Sequence, residues 1–174
     1  FPTRRSSDLS IVFEYMASSH VYRADQNTFP EVLESPAGED IRLGTAVFQV
    51  FSDYLIGIPN HDADGFAFSF YLTNDRVYIG YERRATPGST YAAFNFIIPV
   101  KVRKPCDLHV MKVVINYPNR YISWKLDGRE VYRVSKVGYL LNREFMTSDF
   151  GGIEGDAFPE ILKYGFGSMT LLDN

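Results

Sequence analysis

Closely spaced acidic residues are the first place to look for chemistry in this chain. The stretch "EGDAFPE" carries Glu154, Asp156 and Glu160. Retaining glycoside hydrolysis needs two carboxyl groups about 5 Å apart, one as nucleophile and one as acid. Alternate positions on a strand would put such groups on one face. Gly155 and Pro159 work against a regular strand here, so the stretch reads as a surface loop. "NHDADG" places Asn60, Asp62 and Asp64 at alternate positions, as calcium loops do. An EF-hand would require a Glu where Tyr71 stands, and a strand follows instead of a helix. Asn60, Asp62 and Asp64 are therefore a calcium candidate beside the plainer reading of a turn entering the Phe66 strand. No other cofactor is implied.

Cys106 and His109 are close in sequence, but their odd separation puts them on opposite faces of a strand, which suits a Cys–His nucleophile poorly. His20 and His61 lack metal-ligand spacing. Structural or surface roles are expected for all three histidines.

A more promising constellation comes from two alternating segments, "GFAFSFYLT" and "RVYIGYERR". A two-residue loop at Asn74-Asp75 makes Thr73 face Arg76. The register then pairs Leu72 with Val77, Phe70 with Ile79, Phe68 with Tyr81 and Phe66 with Arg83, an apolar face suited to a core. The opposite face pairs Tyr71 with Tyr78, Ser69 with Gly80 and Ala67 with Glu82. The next strand, "YAAFNFIIPV", adds Asn95 to it. Tyr71 and Tyr78 are suited to stacking on a ligand ring, and Glu82, Arg76 and Asn95 to hydrogen bonding. A solvated sheet face would look the same, since Tyr and Thr are ordinary there.

Two functional expectations follow. One is a binding module that holds a carbohydrate or other small polar ligand on a concave sheet through Tyr71, Tyr78, Glu82, Arg76 and Asn95. The other is an enzyme, a hydrolase or a small-molecule cyclase or isomerase. In that reading Glu82 is general acid or base, and Tyr71, Tyr78 or Arg76 polarises the substrate. A structural domain detached from a larger parent is the blander third reading.

The elements that must position these residues are strands. "SIVFEYMASS", "TAVFQVFSDYLIGI", the two segments above, "TYAAFNFIIPV", "DLHVMKVVINY", "RYISWKL", "EVYRVS" and "ILKYGFGSMTLLD" succeed one another. Turn residues punctuate them, and only "VGYLLNREFMTS" suggests a helical or irregular turn. At 174 residues the pattern indicates one all-β domain, an antiparallel β-sandwich. Asp127-Gly128 signals a type I′ hairpin. It would oppose Leu126 to Arg129, Lys125 to Glu130 and Trp124 to Val131. Trp124 shares a face with Ile122 and Leu126, so the core is its expected place.

A net charge of −3 with mixed signs leaves no electrostatic footprint for nucleic acid, and no apolar run is long enough for a membrane span. The lone Cys106 excludes an internal disulfide but does not fix the compartment.

The order of these elements adds a resemblance. His109, an alternating strand and then "ISWKLDGREV" resemble the late strands of concanavalin A-like lectin/glucanase jelly rolls. "YGFGSMTLLD" is similar to their closing strand, which lies beside the first. "RVYIGYERR…YAAFNFIIPV" and "VGYLLNREFMTSDFGG" are similar to an uncharacterised bacterial family of that fold, over roughly residues 40 to 173. The resemblance implies a jelly roll and no particular activity. The glucanases carry Glu-x-Asp-x-Glu, or a form one residue longer, on one strand. Glu160 falls beyond even the longer form. The opening "FPTRRSSDL" resembles a translated sequencing adapter. Residues 1–9 are thus expected to lie outside the fold, with residues 10–174 as a single domain whose native N-terminus is missing.

Overall fold

The computed structural model describes residues 9–20, 45–52 and 65–169. Among the described residues ten strands follow in order: β1 (Ser10–Ala17), β2 (Thr45–Ser52), β3 (Phe66–Leu72), β4 (Arg76–Arg83), β5 (Phe94–Val102), β6 (His109–Asn116), β7 (Tyr121–Leu126), β8 (Arg129–Val134), β9 (Met146–Asp149) and β10 (Leu162–Met169). A 3-10 turn at Arg143–Phe145 leads into β9, within the stretch whose pattern is irregular. The strands form two antiparallel sheets, ordered β1-β6-β7-β8 and β10-β2-β3-β4-β5-β9. The protein is an all-β sandwich, as the strand pattern indicates. No described helix is long and apolar enough to cross a membrane.

Alternation decides what lies between the sheets. Phe66, Phe68, Phe70 and Leu72 of β3 and Val77, Ile79 and Tyr81 of β4 meet Met111, Val113, Ile115, Ile122, Trp124 and Leu126 of the other sheet in one buried cluster. Aromatic rings run across it: Phe68 meets Trp124 edge-on at 5.9 Å between centroids, and Tyr81 meets Phe94 at 5.0 Å. The Trp124 indole N–H donates to the Ser69 carbonyl at 3.0 Å, so the one tryptophan spans the core and ties the sheets together. The Tyr81 hydroxyl accepts from the Gly138 amide at 2.7 Å.

The β3–β4 register is the one the sequence dictates, from Phe66 opposite Arg83 to Leu72 opposite Val77. Its turn is not of the I′ type. Among the described non-glycine residues, positive φ occurs at Cys106, Arg120 and Asp127, not at Asn74 or Asp75. The Thr73 hydroxyl pins the loop instead, donating to Asp75 at 2.8 Å and accepting from the Arg76 amide at 3.1 Å. The Asp127-Gly128 turn does take left-handed values, 51° and 83°, and Leu126 and Lys125 oppose Arg129 and Glu130.

Two expectations are corrected. Trp124 pairs with Tyr132, not Val131, because a bulge between Trp124 and Lys125 leaves Val131 as an extra residue. β10 lies beside β2, not beside the first strand. It faces β1 across the sandwich, where Phe166 stacks on Tyr15 at 4.7 Å. Of the opening stretch, residues 1–8 lie outside the described residues. Leu9 is described, and its carbonyl accepts the Tyr117 amide at 3.3 Å.

At one end of the sandwich a buried arginine replaces apolar packing. The Arg103 guanidinium donates to the carbonyls of Ser19 at 3.2 Å and Asp107 at 3.0 Å, and to that of Thr73. Arg103 is therefore a polar staple between the end of β1, the β3–β4 turn and the loop before β6.

Candidate functional site

The face of the six-stranded sheet that points away from the core is built of cross-strand rows. One row runs Phe51, Ala67, Glu82, Asn95 and Ser148 across β2, β3, β4, β5 and β9. The next runs Gln49, Ser69, Gly80 and Ile97, and a third runs Val47, Tyr71, Tyr78 and Pro99. Ala67, Ser69 and Gly80 form a small-residue floor between Gln49 and Phe51 on one side and Glu82 and Asn95 on the other.

This face is less open than alternation alone implies. Tyr78 is 3% exposed and Ser69 1% exposed, although both point away from the core. The Tyr71 ring leans across Gly80. A Cβ at position 80 would sit 2.7 Å from Tyr71 Cε2 and 3.1 Å from Ser69 Cβ, so glycine is what permits this contact. Ser69 Oγ accepts from Gln49 Nε2 at 2.9 Å and also engages the Tyr71 hydroxyl. Burial raises the Tyr71 hydroxyl pKa above its ordinary value. The Ser69 hydrogen bond opposes that rise, nearby Glu82 adds to it, and Arg84 opposes it.

Tyr71, Glu82 and Asn95 thereby share one sheet face. Glu82 is the row partner of Asn95, and one of its carboxylate oxygens takes the Arg84 Nε–H at 3.2 Å. The Asn95 carboxamide oxygen is buried and has no hydrogen-bond partner. A bulge follows Asn95 in the pairing with β9, and Thr147 Oγ1 donates to the Asn95 backbone carbonyl at 3.2 Å. Arg76 does not join this group. It lies six strand positions from Glu82, roughly 20 Å at the usual strand rise, beside Asp75 at the hairpin end. Tyr78 shares the face as a buried neighbour of Tyr71.

Sequence reasoning missed Gln49 and Arg84. A lone Gln inside the apolar "VFQVF" was a visible signal. Its place opposite Ser69 depends on a pairing that no tight turn announces.

The remaining candidates fall elsewhere. Glu154 accepts the Leu140 amide at 2.9 Å, and Asp156 pairs with Arg120 at 2.6 Å. Both belong to the segment between β9 and β10 and serve as loop anchors, while Glu160, also in that segment, makes no such contact among the described residues. Asn60, Asp62, Asp64 and His61 lie outside the described residues. Among the described residues no cluster of three His, Cys, Asp or Glu side chains is placed to hold a metal. Cys106 is exposed in the turn before β6, whereas His109 is 3% exposed and turned into the sandwich.

His109 belongs to a second polar cluster, at the β7–β8 turn. One Asp127 oxygen accepts the Val110 amide at 3.0 Å, while the other meets Lys101 Nζ at 2.6 Å and His109 Nδ1 at 3.0 Å. Burial alone would raise the Asp127 pKa. The Lys101, Val110 and His109 contacts outweigh it and bring the carboxyl from 3.8 down to about 2. Lys101 comes from one sheet and His109 and Val110 from the other, so Asp127 is a clasp across the end of the sandwich.

The fold and this row of side chains define a β-sandwich domain with a polar candidate site on a sheet face. The chain belongs to the family of unknown function DUF6081, whose model matches residues 4–174. It is similar to the "Uncharacterized protein L829" of Acanthamoeba polyphaga mimivirus, at 23% identity over 227 residues that cover 96% of this chain and 50% of that protein. The chain thus spans about half the length of this curated relative. No solved structure matches it significantly.

Proposed function

We propose that this domain is a lectin-like binding module that holds a carbohydrate or another small hydroxyl-bearing ligand against the outer face of β3–β5. The observation that carries the reading is the buried Asn95 carboxamide oxygen, which lacks a partner beside Glu82 on the same row. An unmet buried acceptor costs about 1–3 kcal/mol. A ligand hydroxyl donating to it, once the Asn95 side chain turns outward, would recover that cost on binding. Glu82 supplies a second acceptor, Arg84 a donor, and the Tyr71 ring an apolar surface, a combination suited to a polyol.

The enzymatic alternative, with Glu82 as general acid or base, has less support, because Arg84 already engages one oxygen of its carboxylate. A glycan array followed by calorimetric titration of the best ligand tests the proposal. Asn95→Ala should weaken binding about tenfold or more. Silence across chemically varied glycans and polyols, or an Asn95→Ala protein that binds as tightly as the parent, would refute it.

A further inference from the structure

A different part of the molecule offers a second site. A groove of about 380 Å³ opens between the end of β5 and the β7–β8 hairpin, lined by Val100, Lys101, Leu126, Asp127, Arg129 and Val131. Its walls come from two irregularities, one in each sheet. In β5, Lys101 pairs with Val77 and Pro99 with Tyr78, so Val100 is an extra residue. In β8, Glu130 pairs with Lys125 and Tyr132 with Trp124, so Val131 is an extra residue. Both extra residues line the groove. Bulges re-aim side chains and bend strands, and they concentrate next to functional sites. One bulge from each sheet thus contributes a side chain to the same groove.

We infer that this groove binds a small amphipathic carboxylate, with its apolar body against Val100, Leu126 and Val131 and its head group on Arg129. The charges on the rim set this choice. The Asp127 carboxylate is fully engaged by Val110, Lys101 and His109, so Lys101 is neutralised and the turn is fixed. Arg129, directly after the turn, makes no ion pair among the described residues. The rim therefore carries one uncommitted guanidinium above an apolar floor, and a planar carboxylate suits its fork of donors. The size is within the range of small-molecule sites.

Sodium octanoate is the probe, with 1-octanol and sodium acetate as controls for its two halves. Titration is followed by amide chemical shifts of the whole chain. Octanoate should give saturable shifts centred on residues 100–101 and 126–131, stronger than either control. Arg129→Ala, on an exposed rim position, should weaken it about tenfold, as loss of a charge-assisted hydrogen bond does. Arg129→Lys should restore part of that affinity, and Asn95→Ala should leave it unchanged. The inference is overturned if the shifts do not saturate or centre elsewhere, if octanol binds as well as octanoate, or if Arg129→Ala has no effect.

Discussion

Asp127→Asn is the sharpest test of the clasp at the β7–β8 turn. The substitution keeps the shape and one acceptor for the Val110 amide, but removes the charge that Lys101 and His109 face. The Asp127 carboxyl is held at about 2 in place of 3.8, and each pH unit of such a fall corresponds to about 1.4 kcal/mol of folding stability. The full conversion is about 2.5 kcal/mol. Because 36% of the side chain is exposed, solvent screening reduces this to about 1 kcal/mol. The sign follows from the depressed value. The contribution is complete above the unfolded carboxyl's range and is lost as pH falls from about 3.8 through about 2, where both states become protonated. Urea denaturation of both proteins at a series of pH values is the assay. Asp127→Asn should be less stable by about 1 kcal/mol at pH 6.5, with the gap closing below pH 4. Equal stability at pH 6.5 would refute the clasp. A gap that persists unchanged to the lowest pH at which both proteins fold would show that packing, not charge, is responsible.

Other perturbations probe separate parts of the structure. Trp124→Phe removes the donor to the Ser69 carbonyl and leaves a void in the core. It should cost about 2–4 kcal/mol by denaturant titration, and the parent's emission should be blue-shifted because its single tryptophan is buried. Gly80→Ala drives a methyl group into the Tyr71 ring and should cost about 1–3 kcal/mol. Combining it with Tyr71→Ala should cost less than the sum of the two single changes, which thermal denaturation of the three variants would show. Arg103→Ala strips the donor from three carbonyls at the sandwich end and should cost about 3 kcal/mol. Arg103→Lys should recover little of it, because an ammonium cannot span the positions that the guanidinium fork reaches.

Much of the architecture was legible because it is local. Period-two alternation assigned Phe66, Phe68 and Phe70 to the core and Tyr71, Glu82 and Asn95 to the other face. The short loop at Asn74-Asp75 fixed the β3–β4 register, although the turn type depended on the Thr73 hydroxyl, a side-chain contact that dipeptide preference does not capture. Asp127-Gly128 announced its own turn, but the bulge just beyond it moved Trp124 from Val131 to Tyr132. Alternation states which face a residue takes within one strand. It does not state where a partner strand inserts an extra residue, because that depends on how two twisted ladders fit together.

The candidate site shows the same division. Placing Tyr71, Glu82 and Asn95 on one face needed only the sequence and two neighbouring pairings. Separating Arg76 from Glu82 needed only the strand rise. Gln49, by contrast, reaches Ser69 through a β2–β3 pairing that no tight turn dictates. The lean of Tyr71 over Gly80 and the buried oxygen of Asn95 are outcomes of packing in three dimensions.

By itself, then, the sequence determined the fold class, the core faces and the places of the two hairpin turns, because side-chain alternation and turn signals act over a few residues. Tertiary structure alone decided that β10 pairs with β2, that Asp127 gathers Lys101, Val110 and His109 from two sheets, and that Val100 and Val131 line one groove. Those contacts join residues far apart in the chain, and their energies depend on distances that only the packed sandwich sets.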